Sequence, residues 1–472
     1  MLAAALIVIF HTLGFISSIH AVMSTRTSQG AIAWGVSLNT FPYLAVPAYW
    51  VLGRSKFQGY VTARRSVDDT NEYIEQEAIE TTAQYRIAEA DRQEAARAAE
   101  ALAGMPVLKG NQVELLIDGN ATFASILEGI DRAQDYVLFQ FFIIKDDGLG
   151  RKVKEHLIAK AKEGVRVYFT YDEVGSHDLP RSYTRELRDA GVEVTAFNAR
   201  KGRGNRFQIN FRNHRKVVVV DGKVAWIGGH NVGDEYLGKS PKFGHWRDTH
   251  IRIEGPAVLK AQVSFCEDWA WATDEVPPLT WRAHAAPDGS DERVLIIPTG
   301  PADDLETASL MFVHAIHAAQ ERIWIASPYF VPDEAVLAAL QLAGLRGVDV
   351  RILIPDNPDH LLVYLAAYSY FDQAGQTGAK FYRYLDGFLH EKAMLIDRSV
   401  ATIGTANFDN RSFRLNFEIT VAVSDPEFVA EVERMFENDF QHARLMEEGE
   451  YDRKPWWFRL GVRLARLTSP IQ

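Results

Sequence analysis

Phe211 to Asn231 reads FRNHRKVVVVDGKVAWIGGHN, and a later stretch, Leu389 to Asn407, reads LHEKAMLIDRSVATIGTAN. His214, Lys216, Asp221 and Asn231 of the first recur in the second as His390, Lys392, Asp397 and Asn407, with every interval kept. VVVV and AMLI are short apolar runs, so each motif reads as a buried strand. Alternation along a strand puts His214 and Lys216 on one face, and likewise His390 and Lys392. An imidazole beside a fixed ammonium is a nucleophile or proton carrier suited to an anionic centre such as a phosphate. Asp221 and Asp397 have the other parity and are expected to anchor the strand-turn junction rather than donate protons. Asn231 and Asn407 follow glycine-containing turns, where an amide can donate to a phosphate oxygen. One such motif carries moderate weight. Two in register, 176 positions apart, point to function.

The rest of the chain repeats as well. From Val113 the order is VELLID, a helix around Thr122 to Arg132, the strand YVLFQFFI, a helix from about Gly150 to Lys162, and VRVYFTYD. The second half replays this with VLIIP, LETASLMFVHAIHAAQ, RIWIASPYF, a helix, and VDVRILIPD. Strands alternating with helices predict an α/β domain with mixed or parallel sheet in each half.

The chain has 472 residues, enough for two to three domains. Its net charge of -11 argues against a general nucleic-acid binder. The single cysteine, Cys266, excludes an internal disulfide framework, fits a reducing compartment and reads as a small core residue. The 14 histidines show no pairing with Cys or Glu at zinc spacing, and His314 and His317, three apart on a predicted helix, are assigned no metal.

Residues 2–25 carry no charge, and after Arg26 a second charge-free run extends to Gly53. Each is about the ~20 residues that a helix needs to cross ~30 Å of hydrocarbon, which predicts a transmembrane helical hairpin. Pro42 and Pro47 are expected to kink the second helix or delay its start. The connecting loop has only Arg26, whereas Arg54, Lys56, Arg64 and Arg65 follow, so the positive-inside rule puts the bulk of the protein in the cytoplasm. Ser66 to about Gly104 is polar and reads as a solvated helical connector. Arg200 to Lys216 holds seven Lys or Arg and no acid, and is expected to meet an anionic substrate or headgroup. Phe207, Ile209 and Phe211 interleave with it, a mix that suits a lipid interface. The closing RKPWWFRLGVRLARLTSP is a basic amphipathic helix with an aromatic head, suited to an anionic membrane surface or to packing on the domain.

The two motifs resemble the paired HKD signatures of the phospholipase D superfamily. Their flanks, NFRNHRKVVVVDGKVAWIGGHNVGDEYLG with WRDTHIRIEGPAV, and GFLHEKAMLIDRSVATIGTANFDNRSFRLNFEI, are similar more particularly to bacterial cardiolipin synthases. The likeness runs over nearly the whole chain. One departure is visible: the small hydroxyl residue that many superfamily members carry after the motif glycine is Thr405 in the second copy and Gly229 in the first.

The resemblance implies two tandem phospholipase D-like domains packed with pseudo-twofold symmetry, both motifs lining one cleft at the axis. It divides the chain into a transmembrane hairpin (1–55), a polar connector (56–105), a first domain (106–288), a second domain (289–450) and a basic amphipathic tail (451–472). It also implies that Asp248 and Glu418 hold the second ring nitrogens of the histidines; the expected pairing is Asp248 with His214 and Glu418 with His390. His214 is the implied nucleophile and His390 the acid/base, with Lys216, Lys392, Asn231 and Asn407 on the phosphate and no metal or other cofactor. The implied reaction joins two phosphatidylglycerol molecules into cardiolipin and glycerol at the inner membrane, in a multi-pass protein whose catalytic domains face the cytoplasm. Rival readings are a phospholipase D or phosphatidyltransferase with another alcohol, a nuclease, and a lipid-binding scaffold. Protein partners are not specified by the sequence.

Overall fold

The computed structural model describes residues 1–25, 27–53, 60, 68–89, 95–197, 210–287, 289–447 and 449–471. Its centre is one α/β body of two matching halves. In the first half the strands lie in the order Leu108–Ile117, Thr249–Glu254, Val224–Gly228, Val217–Val220, Tyr136–Phe141, Arg166–Asp172, Glu193–Phe197. In the second half the order is Glu292–Thr299, Asn416–Val423, Val400–Gly404, Ala393–Ile396, Arg322–Ala326, Asp349–Pro355, Lys380–Tyr384, with Ala443–Leu445 added at the far edge. Each sheet is mixed: the motif hairpin and its neighbour are antiparallel, and the outer strands are parallel and joined through helices. The first strands of the two halves pair antiparallel, Leu108 opposite Val294 and Asn111 opposite Glu292. That seam gives the body its pseudo-twofold arrangement.

Every residue of VVVV and AMLI is buried because both faces of each sheet are covered. Val217 and Val219, with Ala393 and Leu395, face a core shared by the two halves and filled by the helices Val258–Thr273 and Pro426–Gln441. Val218 and Val220 face an outer core under the helices Asp118–Arg132, Gly148–Lys162 and Arg181–Asp189. Met394 and Ile396 do the same under Thr307–Ala318, Glu334–Leu345 and Leu361–Gly375. At roughly 1.5–3 kcal/mol for each fully buried aliphatic side chain, these layers hold the motif strands in place. Cys266 lies in the helix of the shared core, where burial pushes its thiol pKa up.

The connector departs from expectation. Asp68–Thr81 and Ala96–Ala103 are helices, but Ile74, Ala78, Thr82 and Ala103 are buried, and Lys260 Nζ lies 3.1 Å from Glu75 Oε1. Its alanines suit close packing as well as they suit a solvated helix, so composition could not separate the two. The ring of His314 meets the Ala95 carbonyl at 2.6 Å, which ties this segment to the second half.

Leu2–Ser24 is one helix, and among the described residues Ala4–Ser24 is the span long and apolar enough to cross a membrane. The second apolar segment, expected as one crossing helix, is two: Ser28–Thr40 and Pro42–Leu52. The break falls at Phe41 because a residue before proline avoids helical geometry, and Pro42 opens the next helix. Asn39 Nδ2 donates to Ser18 Oγ at 2.7 Å, Tyr43 packs on Phe10 with ring centroids 5.3 Å apart, and Tyr49 Oη meets His20 Nδ1 at 2.6 Å. Trp50 Nε1 donates to Ser17 Oγ at 3.0 Å. The segment therefore runs back along the first helix to the level of Phe10 and then returns toward Ser24. It folds back rather than traversing the full length, and polar contacts of the kind that join helices in lipid hold it there. Arg26, Arg54, Lys56, Arg64 and Arg65 lie outside the described residues.

The tail forms the helix Trp456–Arg466, which packs on Leu361–Gly375 through Phe458 against Tyr368, ring centroids 5.1 Å apart.

Candidate active site

Each motif is brought to the centre by a short parallel pairing with the other half. Arg212–Asn213 pairs with Asn416–Phe417, and Phe388–Leu389 with Trp246–Arg247. The His214 N–H donates to the Phe417 carbonyl at 3.0 Å, and the His390 N–H to the Arg247 carbonyl at 2.8 Å. Both histidines are thus fixed by backbone from the opposite half.

Their side chains are held the same way, which corrects the expected pairing. His214 Nδ1 lies 2.9 and 3.0 Å from the two carboxylate oxygens of Glu418, and His390 Nδ1 lies 2.6 Å from Asp248 Oδ2. The carboxylates are crossed: each half orients the histidine of the other. Sequence separation could not show this, because His214 and Asp248 are neighbours in the chain while the pseudo-twofold axis passes between them. A carboxylate only accepts, so Nδ1 carries the proton and Nε2 is left with its lone pair for chemistry. The histidine side chains keep 9% and 10% of their surface exposed, whereas both carboxylates are at 0%.

The departure at Gly229 has a steric cause. Thr405 Oγ1 donates to Glu418 Oε2 at 2.6 Å, and Ser412 Oγ donates to Oε1 at 2.8 Å. In the first copy the shorter Asp248 side chain fills the corresponding space. A Cβ built on Gly229 would stand 2.0 Å from Asp248 Oδ1. Threonine with glutamate and glycine with aspartate are therefore two fillings of one volume.

Lys216 Nζ donates to its own motif's His214 carbonyl at 2.6 Å, and Lys392 Nζ is hydrogen-bonded to the His390 carbonyl and lies 2.8 Å from His390 Nδ1. Burial pulls the Lys392 pKa down to about 8, with Asp248 and Glu418 opposing, and takes Lys216 well below its ordinary value. Burial also lowers the histidines, His214 to about 4 and His390 well below the usual range, helped by the neighbouring lysines. Burial works against the Glu418 carboxylate, but His214, Lys216 and Thr405 hold its pKa below the ordinary value. The centre sets two imidazoles and two lysines against two buried carboxylates, with burial favouring the uncharged form of each base.

Asp221 and Asp397 sit at the hairpin turns with φ of 53° and 51°. The Asp221 carboxylate accepts from the backbone N–H groups of Gln134, Asp135 and Tyr136 at 2.8–2.9 Å. Asp397 accepts from Gln320, Glu321 and Arg322 in the same manner. They clamp the far end of each hairpin, away from the histidines. Asn231 accepts from the Ile143 N–H at 3.1 Å through Oδ1, and its amide meets Tyr236 Oη at 3.4 Å. Asn407 bonds the side chain of Asp409, whose pKa burial raises to about 6. Both asparagines shape the loop beside the site.

Of the basic run, residues 200–209, with Phe207 and Ile209, lie outside the described residues. Phe211 is buried among Phe197, Trp271, Leu415 and Phe417, so it is core and not a lipid contact.

Sequence reasoning missed the layer behind the histidines. Arg215 is buried and pairs with Asp268 at 2.9 Å, while Asp268 also accepts from Gln140, Asn213 and Tyr60. In the second copy Glu391 lies 2.8 Å from the Arg247 guanidinium, which forms a two-pronged bond to Asp439 with both contacts at 2.8 Å. The signal was present: Arg215 and Glu391 stand between the His and Lys of each motif, so alternation turns them into the shared core, where a charge needs a partner. Phe142 stacks edge-on against His214 with centroids 4.9 Å apart, and Trp246 lies 5.1 Å from His390, giving each imidazole an apolar wall.

Comparison with known proteins identifies the family. A family model described as "Cardiolipin synthase, PLD-like domain" matches residues 126–269 and 312–440. Cardiolipin synthase A of Pseudomonas fluorescens (strain Pf-5) is 52% identical over 474 residues, covering 99% of this chain and 98% of that protein. Cardiolipin synthase A of Pseudomonas putida (strain GB-1) is 50% identical over 476 residues, covering 98% and 97%. Among solved structures, the phosphatidylserine synthase of Haemophilus influenzae Rd KW20 matches with a TM-score of 0.62 at 17% identity, over 81% of this chain and 100% of that one, a likeness of fold. The paired motifs, the doubled sheet and half-identity along the whole length make this chain a member of the cardiolipin synthase family built on phospholipase D-like domains.

Proposed function

We propose that the chain is a membrane-bound phosphatidyltransferase that makes cardiolipin and glycerol from two molecules of phosphatidylglycerol by way of a phosphohistidine. The observation that carries this reading is the crossed pair: two imidazoles, each oriented through Nδ1 by a carboxylate of the other half, beside two buried lysines. His390 takes up a proton on Nε2 as the phosphate anion enters. His214 Nε2 then attacks phosphorus, the phosphorus–oxygen bond to the terminal glycerol breaks, and the His390 imidazolium gives that oxygen its proton. The hydroxyl of a second phosphatidylglycerol then yields its proton to His390 and attacks the same phosphorus, and the phosphorus–nitrogen bond breaks. Lys216 and Lys392 stabilise charge on the equatorial oxygens, and the amides of Asn231 and Asn407 line the same centre. Buried cations that meet an anion in a dry site are worth far more than in water.

Placement in the inner membrane with both halves facing the cytoplasm is part of the same proposal. The support is the long apolar helix and the basic residues that follow the apolar region. Because the second segment folds back toward Ser24, this reading has one full crossing instead of the two expected from sequence.

The test is purified protein in phosphatidylglycerol vesicles with chelator, followed by mass spectrometry of lipids and released glycerol. Cardiolipin and glycerol are expected in equal amounts. Phosphatidic acid in place of cardiolipin would make water the acceptor, and no turnover of any phospholipid would leave a scaffold.

A further inference from the structure

The helix Trp456–Arg466 carries three stripes. At ~100° per residue, Phe458, Gly461, Val462 and Ala465 share one face, Arg459, Arg463 and Arg466 a second, and Trp457, Leu460, Leu464 and Leu467 the third. The first stripe is protein-facing: Val462 and Ala465 are buried, and Phe458 lies on Tyr368 of the helix Leu361–Gly375. The other two stripes face outward. Trp457, Leu460, Leu464 and Leu467 are between 51% and 76% exposed, and Trp456 beside them is 70% exposed.

A helix already docked on one side has no structural use for a second apolar stripe. Five large apolar side chains in one strip form a contact surface rather than scattered exposure. Charge identifies what covers it. In a chain of net charge -11, the stretch from Arg453 to the end has five basic residues and no acid. An apolar stripe flanked by arginines and headed by tryptophans matches the boundary between acyl chains and anionic headgroups, where indole rings and guanidinium groups both reside. The supporting helix adds Leu361 and Leu362, both exposed. It begins two residues after Asp359, whose carboxylate takes a hydrogen bond from Tyr329 Oη at 2.6 Å and whose charge acts on His390 and Lys392.

We propose that this tail helix is an interfacial clamp that lies flat on the anionic lipid surface, with Trp457, Leu460, Leu464 and Leu467 in the acyl boundary, and holds the second half's entrance, the cavity lined by Tyr329, Asp359, His360 and Tyr364, against the bilayer. It is a second membrane contact, far in sequence from the N-terminal helix and of different chemistry: reversible and charge-dependent. The role assigned to the entrance rests on the phosphatidyltransferase reading; the lipid contact does not.

The experiment uses the full chain with Cys266→Ser and Leu464→Cys, labelled with an environment-sensitive fluorophore and reconstituted in nanodiscs. Discs of phosphatidylglycerol with phosphatidylcholine are compared with discs of phosphatidylcholine alone, each with and without bromolipids. The clamp gives a blue shift and bromolipid quenching in the anionic discs, several-fold weaker in the zwitterionic ones. A water-exposed label in both overturns it. Shielding that bromolipids do not quench and that grows with protein density also overturns it, in favour of a second copy of the chain. A second readout is the double variant Leu460→Glu, Leu464→Glu, which alters only exposed positions. Turnover of vesicular phosphatidylglycerol should fall several-fold while turnover of monomeric short-chain phosphatidylglycerol stays at the parent level. Equal loss on both substrates sinks the clamp. A parent protein inactive on both would count against the function, while the fluorescence still decides the contact.

Discussion

Glu418, on a strand of the second half, holds His214 of the first at 2.9 Å, with Thr405, Ser412 and Asn416 all donating to the same carboxylate. Replacing Glu418 with Gln would leave the volume unchanged but remove the charge and put an NH2 donor in place of one oxygen that accepts from these groups. Loss of such an orienting carboxylate costs up to about 10⁴-fold in turnover. Asp248→Asn should behave alike through His390. His214→Ala and His390→Ala should each abolish cardiolipin formation. Circular dichroism and lipid mass spectrometry together check this; full activity of Glu418→Gln would remove the orienting role.

Gly229→Ala is expected to be worse for activity than Thr405→Ala. The alanine Cβ would press the Asp248 carboxylate off His390, and a displacement near 1 Å at a reacting group costs roughly 10²-fold. Thr405→Ala removes one of several bonds to Glu418, worth about 1 kcal/mol of stability. Steady-state rates beside thermal melts separate the two, and a Gly229→Ala protein with normal turnover would refute the steric account.

With the Lys392 pKa near 8, its ammonium is present at neutral pH and is lost as pH rises through about 8. The profile of kcat/KM on short-chain phosphatidylglycerol should therefore fall on the alkaline side near pH 8. Lys392→Arg, slower because its fork does not match the lysine's point contact, should lack that limb. On the acid side His214 stays neutral down to about pH 4, and because Glu418 raises its pKa, Glu418→Gln should move that limb to lower pH. An alkaline limb that persists in Lys392→Arg would assign it to another group.

Behind His390, burial pushes the Glu391 carboxyl well above its ordinary pKa, so a neutral amide is a fair replacement. Glu391→Gln should change stability little. Arg247→Met would strand the buried Asp439 without its cation, and breaking a buried pair from one side costs about 3–5 kcal/mol. Urea melts of detergent-solubilised protein report both. Equal destabilisation by the two variants would contradict the charge assignment.

The folded-back second segment makes a topological prediction. In a Cys266→Ser background, Ala3→Cys should react with an impermeant maleimide in intact cells, and Ser28→Cys only after permeabilisation. The reverse pattern would restore two full crossings.

Much of this was legible because its causes are local. The spacing of His, Lys, Asp and Asn fixed the motif strands, and alternation placed His214 with Lys216 and turned Asp221 away. The crossed carboxylates were not legible, because they depend on a symmetry axis that no spacing records. The connector was misjudged because alanine is equally at home on a wet helix and under a packed one. The second apolar segment looked like a crossing because hydropathy counts residues and ignores direction; Pro42 was visible, but the return of Tyr49 to His20 was not. Arg215 and Glu391 could have been found, since the same alternation that aims the histidines outward aims them inward.

The seam between Leu108–Ile117 and Glu292–Thr299, together with the exchanged carboxylates, has an evolutionary consequence. Gene duplication normally frees one copy to decay while the other works. Here a lesion in either copy disables the histidine of its twin, so the halves stay under joint selection and can diverge only in matched pairs. Thr405 with Glu418 and Gly229 with Asp248 are such matched pairs, each within the half that orients its twin's histidine.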